Sequence, residues 1–74
     1  MQDPTEATTG RIIRARRESA GLSQQALATR AGIAIRTLAR IEQGEDMRLG
    51  TLTQIAQALD VPVADLLSSS EVPA

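Results

Sequence analysis

"QQALATRAGIAIRTLARIEQ", residues 24–43, contains two sets of apolar residues at helical spacing, separated by Gly32. Leu27 and Ala31 stand four apart before the glycine, and Ala34, Leu38 and Ile41 follow it at i, i+4 and i+7, the period of a helix with one inward face. Ser23, immediately upstream, is a natural N-cap, because its hydroxyl accepts a hydrogen bond from a first-turn N–H that has no partner within the helix. Gly32 readily takes the left-handed conformation that ends a helix and starts a turn. The stretch therefore predicts a short helix of about eight residues, a tight turn plugged by Ile33, and a second helix over 34–43 ended by Gly44. Ala28 is small where the two helices cross closely. Arg36, Arg40 and Gln43 fall on the outward side of the second helix. By themselves the two arginines read first as a solvated face, with side chains aimed at a partner as the alternative.

Outward from this unit the period stays at three and four, with no sustained alternation. A first helix is expected from residue 8 or 9 to 20, with a threonine as N-cap, Gly21 as its stop, and Ile13, Arg17 and Ala20 on one face. After the polar loop "EDMRLG", a fourth helix over 49–59 lines up Leu52, Ile55, Ala56 and Leu59. A short fifth over 62–68 starts near Pro62 and buries Val63, Leu66 and Leu67. Residues 1–7 and 69–74 are polar and read as disordered tails. The expected fold is all-α, a compact five-helix bundle over residues 8–68.

A chain of 74 residues has room for one small domain and none for a separate sensing or catalytic one. Cysteine and histidine are absent, which removes thiol nucleophiles, imidazole bases and the usual zinc ligands together. No enzyme, cofactor, metal or small-molecule effector is expected. Aromatic residues are also absent, so no ring can stack on an unpaired base. No run approaches the roughly 20 apolar residues of a membrane span, and "MQDPTEATTG" lacks the basic and apolar regions of a secretory signal, so the location expected is cytoplasmic, at the nucleoid, without membrane partners.

The net charge of -1 conceals a gradient. Residues 11–48 carry all eight basic residues against four acids, a local +4, whereas 1–10 carry -2 and 49–74 carry -3. Every basic residue is arginine. Forked recognition of phosphate or guanine suits that choice, and a genome rich in arginine codons produces it equally well.

Two short helices joined by a glycine-containing turn form the unit that places a helix in the DNA major groove. Through "IRARRESAGLSQQALATRAGI", "TLARIEQGE" and "TLTQIAQALDVPVADLL" the chain resembles the Cro/cI-like, or XRE, helix-turn-helix family across about residues 9–67. The resemblance implies a lambda-repressor-like bundle whose second and third helices form a reading head for double-stranded DNA. It implies base-edge contacts by Ile35, Arg36, Thr37 and Arg40, and phosphate contacts by Ser23, Gln24, Arg17, Gln43 and Arg48. It also implies an ion pair between Arg17, on the inner face of helix one, and Glu42, at the end of helix three. From the residues alone, an inward arginine requires a carboxylate. Two departures stand out: Ala34 occupies the N-cap where the family commonly has Ser or Thr, and Arg16 replaces a residue that is often apolar.

The function expected is a transcriptional regulator, a repressor in type, acting as a homodimer on an inverted repeat, with an interface near Val61, Leu66 and Leu67. Antitoxins and restriction-modification controllers share this domain. The rival from another class is a helical protein-interaction module that does not bind DNA, favoured by the acidic total charge.

Overall fold

The computed structural model describes the backbone of residues 4–67 and the side chains of residues 8–67. It contains α1 (Pro4–Ser19), α2 (Gln24–Ala31), α3 (Ile35–Glu42) and α4 (Leu49–Leu59), followed by one 3-10 turn, Val63–Leu66, with no strand among the described residues. The chain is all-α, but the fifth helix is corrected to that single turn. Pro62 enters it in extended conformation (ψ 148°) and Leu67 leaves it extended (ψ 129°), so only four residues remain to wind. Such short pieces adopt the tighter 3-10 form. One turn suffices to bury Leu66 completely.

The first helix is also corrected. It begins at Pro4, not at residue 8 or 9, so residues 4–7 are helical and not a tail. Proline fits a first turn because its missing N–H has no intrahelical partner there in any case. Thr9 consequently lies inside the helix, 2% exposed, and its hydroxyl finds no partner among the described residues. The expectations for residues 1–3, for residue 68 at the end of the fifth helix and for the C-terminal tail, 69–74, lie outside the described residues.

The central unit forms from local signals. Ser23 Oγ accepts from the Ala26 N–H at 3.0 Å and opens α2. Gly32, at φ 74°, closes it, and the N–H groups of Gly32 and Ile33 return to the carbonyls of α2's last turn. Ala34 then starts α3 from an extended backbone and supplies no side-chain cap. It is exposed, so its place on the core face is corrected: the chain enters the helix there from outside, and the inward row begins at Leu38. Ala20 is likewise exposed, one residue past the end of α1 at Ser19, although its N–H still donates to the Arg16 carbonyl at 3.0 Å. Leu59 is half-buried.

The core consists of Ile13, Leu27, Leu38, Ile41, Ile55 and Leu66, all fully buried, with small Ala28 and Ala56 between them. Each such aliphatic side chain contributes about 1.5–3 kcal/mol by leaving water. Helix α1 packs on α3, and α2 packs on both α3 and α4. Gln54 Nε2 donates to the Ala31 carbonyl at 3.3 Å, tying α4 to the end of α2 just before the turn. At Gly10 the α1 backbone lies so close to α3 that a β-carbon there would collide with the Ile41 carbonyl oxygen. Thus α3, held from one side by α1 and from the other by α2, leaves one face free.

Candidate nucleic-acid interface

That free face carries the residues singled out on the reading helix. Opposite buried Leu38 and Ile41, the helix exposes Ile35, Arg36, Thr37, Arg40 and Gln43, with Ala39 half-buried among them. Ile35, 41% exposed, is one of two large apolar side chains among the described residues that remain in water; the other is Leu49, at the start of α4.

On α1, Arg11 is exposed and has no ion pair among the described residues. Arg14, Arg16 and Arg17 of α1 are in ion pairs, with Glu18, Asp65 and Glu42. The side chains of Arg36 and Arg40 have no ion pair or hydrogen bond among the described residues. Between residues 24 and 43 the one carboxylate is Glu42, and it is turned inward, its side chain only 4% exposed. The outward face of α3 therefore presents uncompensated positive charge although the whole chain is acidic.

Glu42 is the centre of a small polar network. Arg17 donates to it twice, Nε to Oε2 at 2.7 Å and Nη2 to Oε1 at 3.1 Å, in the forked geometry that suits a guanidinium and a carboxylate. Arg17 Nη1 also donates to the Leu22 carbonyl at 2.9 Å. Hydrogen bonding to Glu42 holds the Arg17 pKa above its ordinary value, against the opposing effect of burial. Gln24 adds a third donor, Nε2 to Glu42 Oε1 at 3.1 Å. One carboxylate thus ties α1, the first residue of α2 and the last residue of α3.

The residues expected at phosphates are spread around this network. Ser23 caps α2, and Gln24 follows it, half-buried, with its amide on Glu42. Gln43 is exposed at the C-terminal end of α3, and Arg48 is exposed at the N-terminal end of α4, which it enters from an extended backbone with no side-chain cap. Arg17 lies deeper, its side chain 11% exposed. Two features escape a reading of the sequence. The bond from Gln24 to Glu42 spans 18 positions and depends on how the two helices cross. The close approach at Gly10 has a visible signal, a glycine three residues before Ile13 on the inward face of a helix.

A helix-turn-helix family model matches residues 13–66, most of the described chain. The chain belongs to this helix-turn-helix family, whose members are DNA-binding transcriptional regulators. Among solved structures it is similar to the restriction-modification controller protein C.AhdI from Aeromonas hydrophila, at 30% identity and TM-score 0.79, over 81% of this chain and 92% of that one. It is similar also to SinR, the master regulator for biofilm formation, in complex with DNA, at 32% identity and TM-score 0.75, over 78% of this chain and 95% of that one. FeII HppE in complex with substrate contains a similar bundle at 28% identity and TM-score 0.75, but there 84% of this chain matches only 36% of a longer one. No curated protein matches the chain.

Proposed function

We propose that this helix-turn-helix protein is a sequence-specific regulator of transcription that binds double-stranded DNA as a homodimer, with α3 of each copy in the major groove of one half of an inverted repeat. The observation that carries the reading is the free face of α3, where two unpartnered arginines stand on a helix whose other faces are packed or tied. Ile35, Arg36, Thr37 and Arg40 then meet base edges. Ser23, the Gln24 amide, Gln43, Arg48 and the remaining N–H groups of Arg17 face phosphates on either side, and the uncapped start of α4 adds free backbone N–H groups.

A head of eight residues touches too few base pairs for useful discrimination, which is the reason for two copies about one turn of DNA, some 34–36 Å, apart. For the interface, half-buried Val61 and Leu67 remain candidates, whereas Leu66 is fully buried in the core and drops out. No helix of the described residues is long and apolar enough to cross a membrane, and the place of action proposed is the nucleoid.

Salt titration tests this reading. Binding to duplex DNA through several arginine–phosphate contacts should weaken steeply as salt rises, with log K falling linearly in log salt. If a random-sequence duplex pool is not retained at about 50 mM salt, the reading fails.

A further inference from the structure

We infer that each half of the operator carries two G·C pairs about two base pairs apart, with the guanines read by Arg36 and Arg40. The inference deepens the DNA-binding reading and rests on it. At about 100° per residue, Arg36 and Gln43 project almost opposite the Leu38–Ile41 row, and Ala39 and Arg40 lie within about 50° of that direction. Ile35 and Thr37 lie to either side, toward the margins of the base-pair floor. The floor of the groove therefore faces Arg36 and Arg40, beside Ala39, whose methyl group leaves room for close approach.

What these side chains can bond decides which bases they select. Arginine has five N–H donors and no acceptor. The carboxylate that would accept from cytosine N4 is missing from this face, because Glu42 is inward and already receives bonds from Arg17 and Gln24. The amide of Gln43 stands two turns beyond Arg36 and three residues beyond Arg40, at the end that leaves the groove. A face of donors selects acceptors, and guanine is the base that offers two of them together, O6 and N7, in the major groove. No carboxylate competes for either arginine, since neither side chain has a partner among the described residues. Four residues advance a helix by about 6 Å, which spans about two base-pair steps of 3.4 Å each.

The test is selection from a random duplex pool with the full chain, followed by the same selection with Arg36→Ala and Arg40→Ala. Both positions are exposed, and far-ultraviolet circular dichroism establishes that each variant is folded. The expected wild-type motif has two G·C pairs spaced about two apart. Each variant should lose preference at one of them, by about fivefold to somewhat over a hundredfold against other bases, and keep it at the other. A salt-dependent motif without such guanines, or variants that weaken all sequences equally, overturns the guanine assignment and leaves the DNA-binding reading standing. Failure of the wild-type chain to retain any duplex overturns both.

Discussion

Arg17 and Glu42, 25 positions apart, meet through two hydrogen bonds, the shorter 2.7 Å, and by doing so fix the end of α3 against α1. Both side chains are largely withdrawn from water, 11% and 4% exposed, so each partner depends on the other for its solvation. Glu42→Ala leaves a guanidinium without its carboxylate and should cost about 3–5 kcal/mol. Removing both partners should cost less than removing Glu42 alone, and strictly additive losses in a double-mutant cycle by urea denaturation would defeat the proposal of a coupled pair. The sign of the pH effect also follows. A basic group whose folded pKa is raised adds stability at all pH values below its unfolded pKa, and loses it only as pH rises through the folded value. For Arg17 that window lies in strong alkali, so its share of the pair should be constant through neutral pH.

The network has a third member, and it offers a test in the free protein. Gln24→Glu places a second carboxylate where an amide now donates to Glu42 at 3.1 Å. Like charges at that distance raise a carboxyl pKa, so this variant should lose stability as pH rises from about 4 to 7, relative to the natural chain. Thermal melts across that range measure it. If the variant and the natural chain melt in parallel at every pH, Gln24 does not act through Glu42.

Gly10 separates two opposed effects. On propensity alone, alanine in a helix interior gains about 1 kcal/mol over glycine. Here the added β-carbon meets the Ile41 carbonyl oxygen, and backbone cannot swing aside as a side chain can. Gly10→Ala should therefore destabilise by about 1–3 kcal/mol, as overpacking does. A stabilised variant in chemical denaturation shows that α1 and α3 are not in such close contact.

These residues show what can be read without a structure. The α2–turn–α3 unit is legible because its signals are local: Ser23 caps, Gly32 turns, and Leu27, Leu38 and Ile41 keep the spacing of a buried row. The outward set from Ile35 to Gln43 follows by exclusion from that row. The end of the chain is ambiguous, because Val63 and Leu66 stand at i, i+3, a spacing an α-helix and a 3-10 turn share, and only the extended backbone at Pro62 and Leu67 separates them. The start is ambiguous for a similar reason, since Thr8 and Thr9 resemble caps and Pro4 resembles a break, although proline also opens helices. Ala34 is in register with Leu38 and yet exposed, because periodicity describes a helix and says little of the residue just before its first turn. The bond from Gln24 to Glu42 is set by the crossing of two helices, which no spacing along the chain reports.

Thr9 is the one buried polar side chain among the described residues left without a hydrogen-bond partner. A hydroxyl taken out of water with nothing to bond costs about 1–3 kcal/mol. Valine has nearly the same shape and branches at the same carbon, so Thr9→Val should raise stability by about 1 kcal/mol, and a loss on urea denaturation means the hydroxyl has a partner.

Ala34 is where stability and binding meet. Its backbone, at φ -69° and ψ 142°, already has the extended conformation an N-cap requires, and it is exposed, so a hydroxyl there meets no packing obstacle. Ala34→Ser should satisfy one orphan N–H of α3 and stabilise by about 0.5–2 kcal/mol. For a domain of this size each kcal/mol corresponds to about 4–8 °C in Tm, which a thermal melt resolves easily. The consequence for DNA has a definite direction. In the proposed complex the start of α3 faces the groove, and a serine hydroxyl already bonded within the helix adds no charge, so salt dependence should stay as it is. A melt that does not move shows that α3's first turn is already satisfied by some other group.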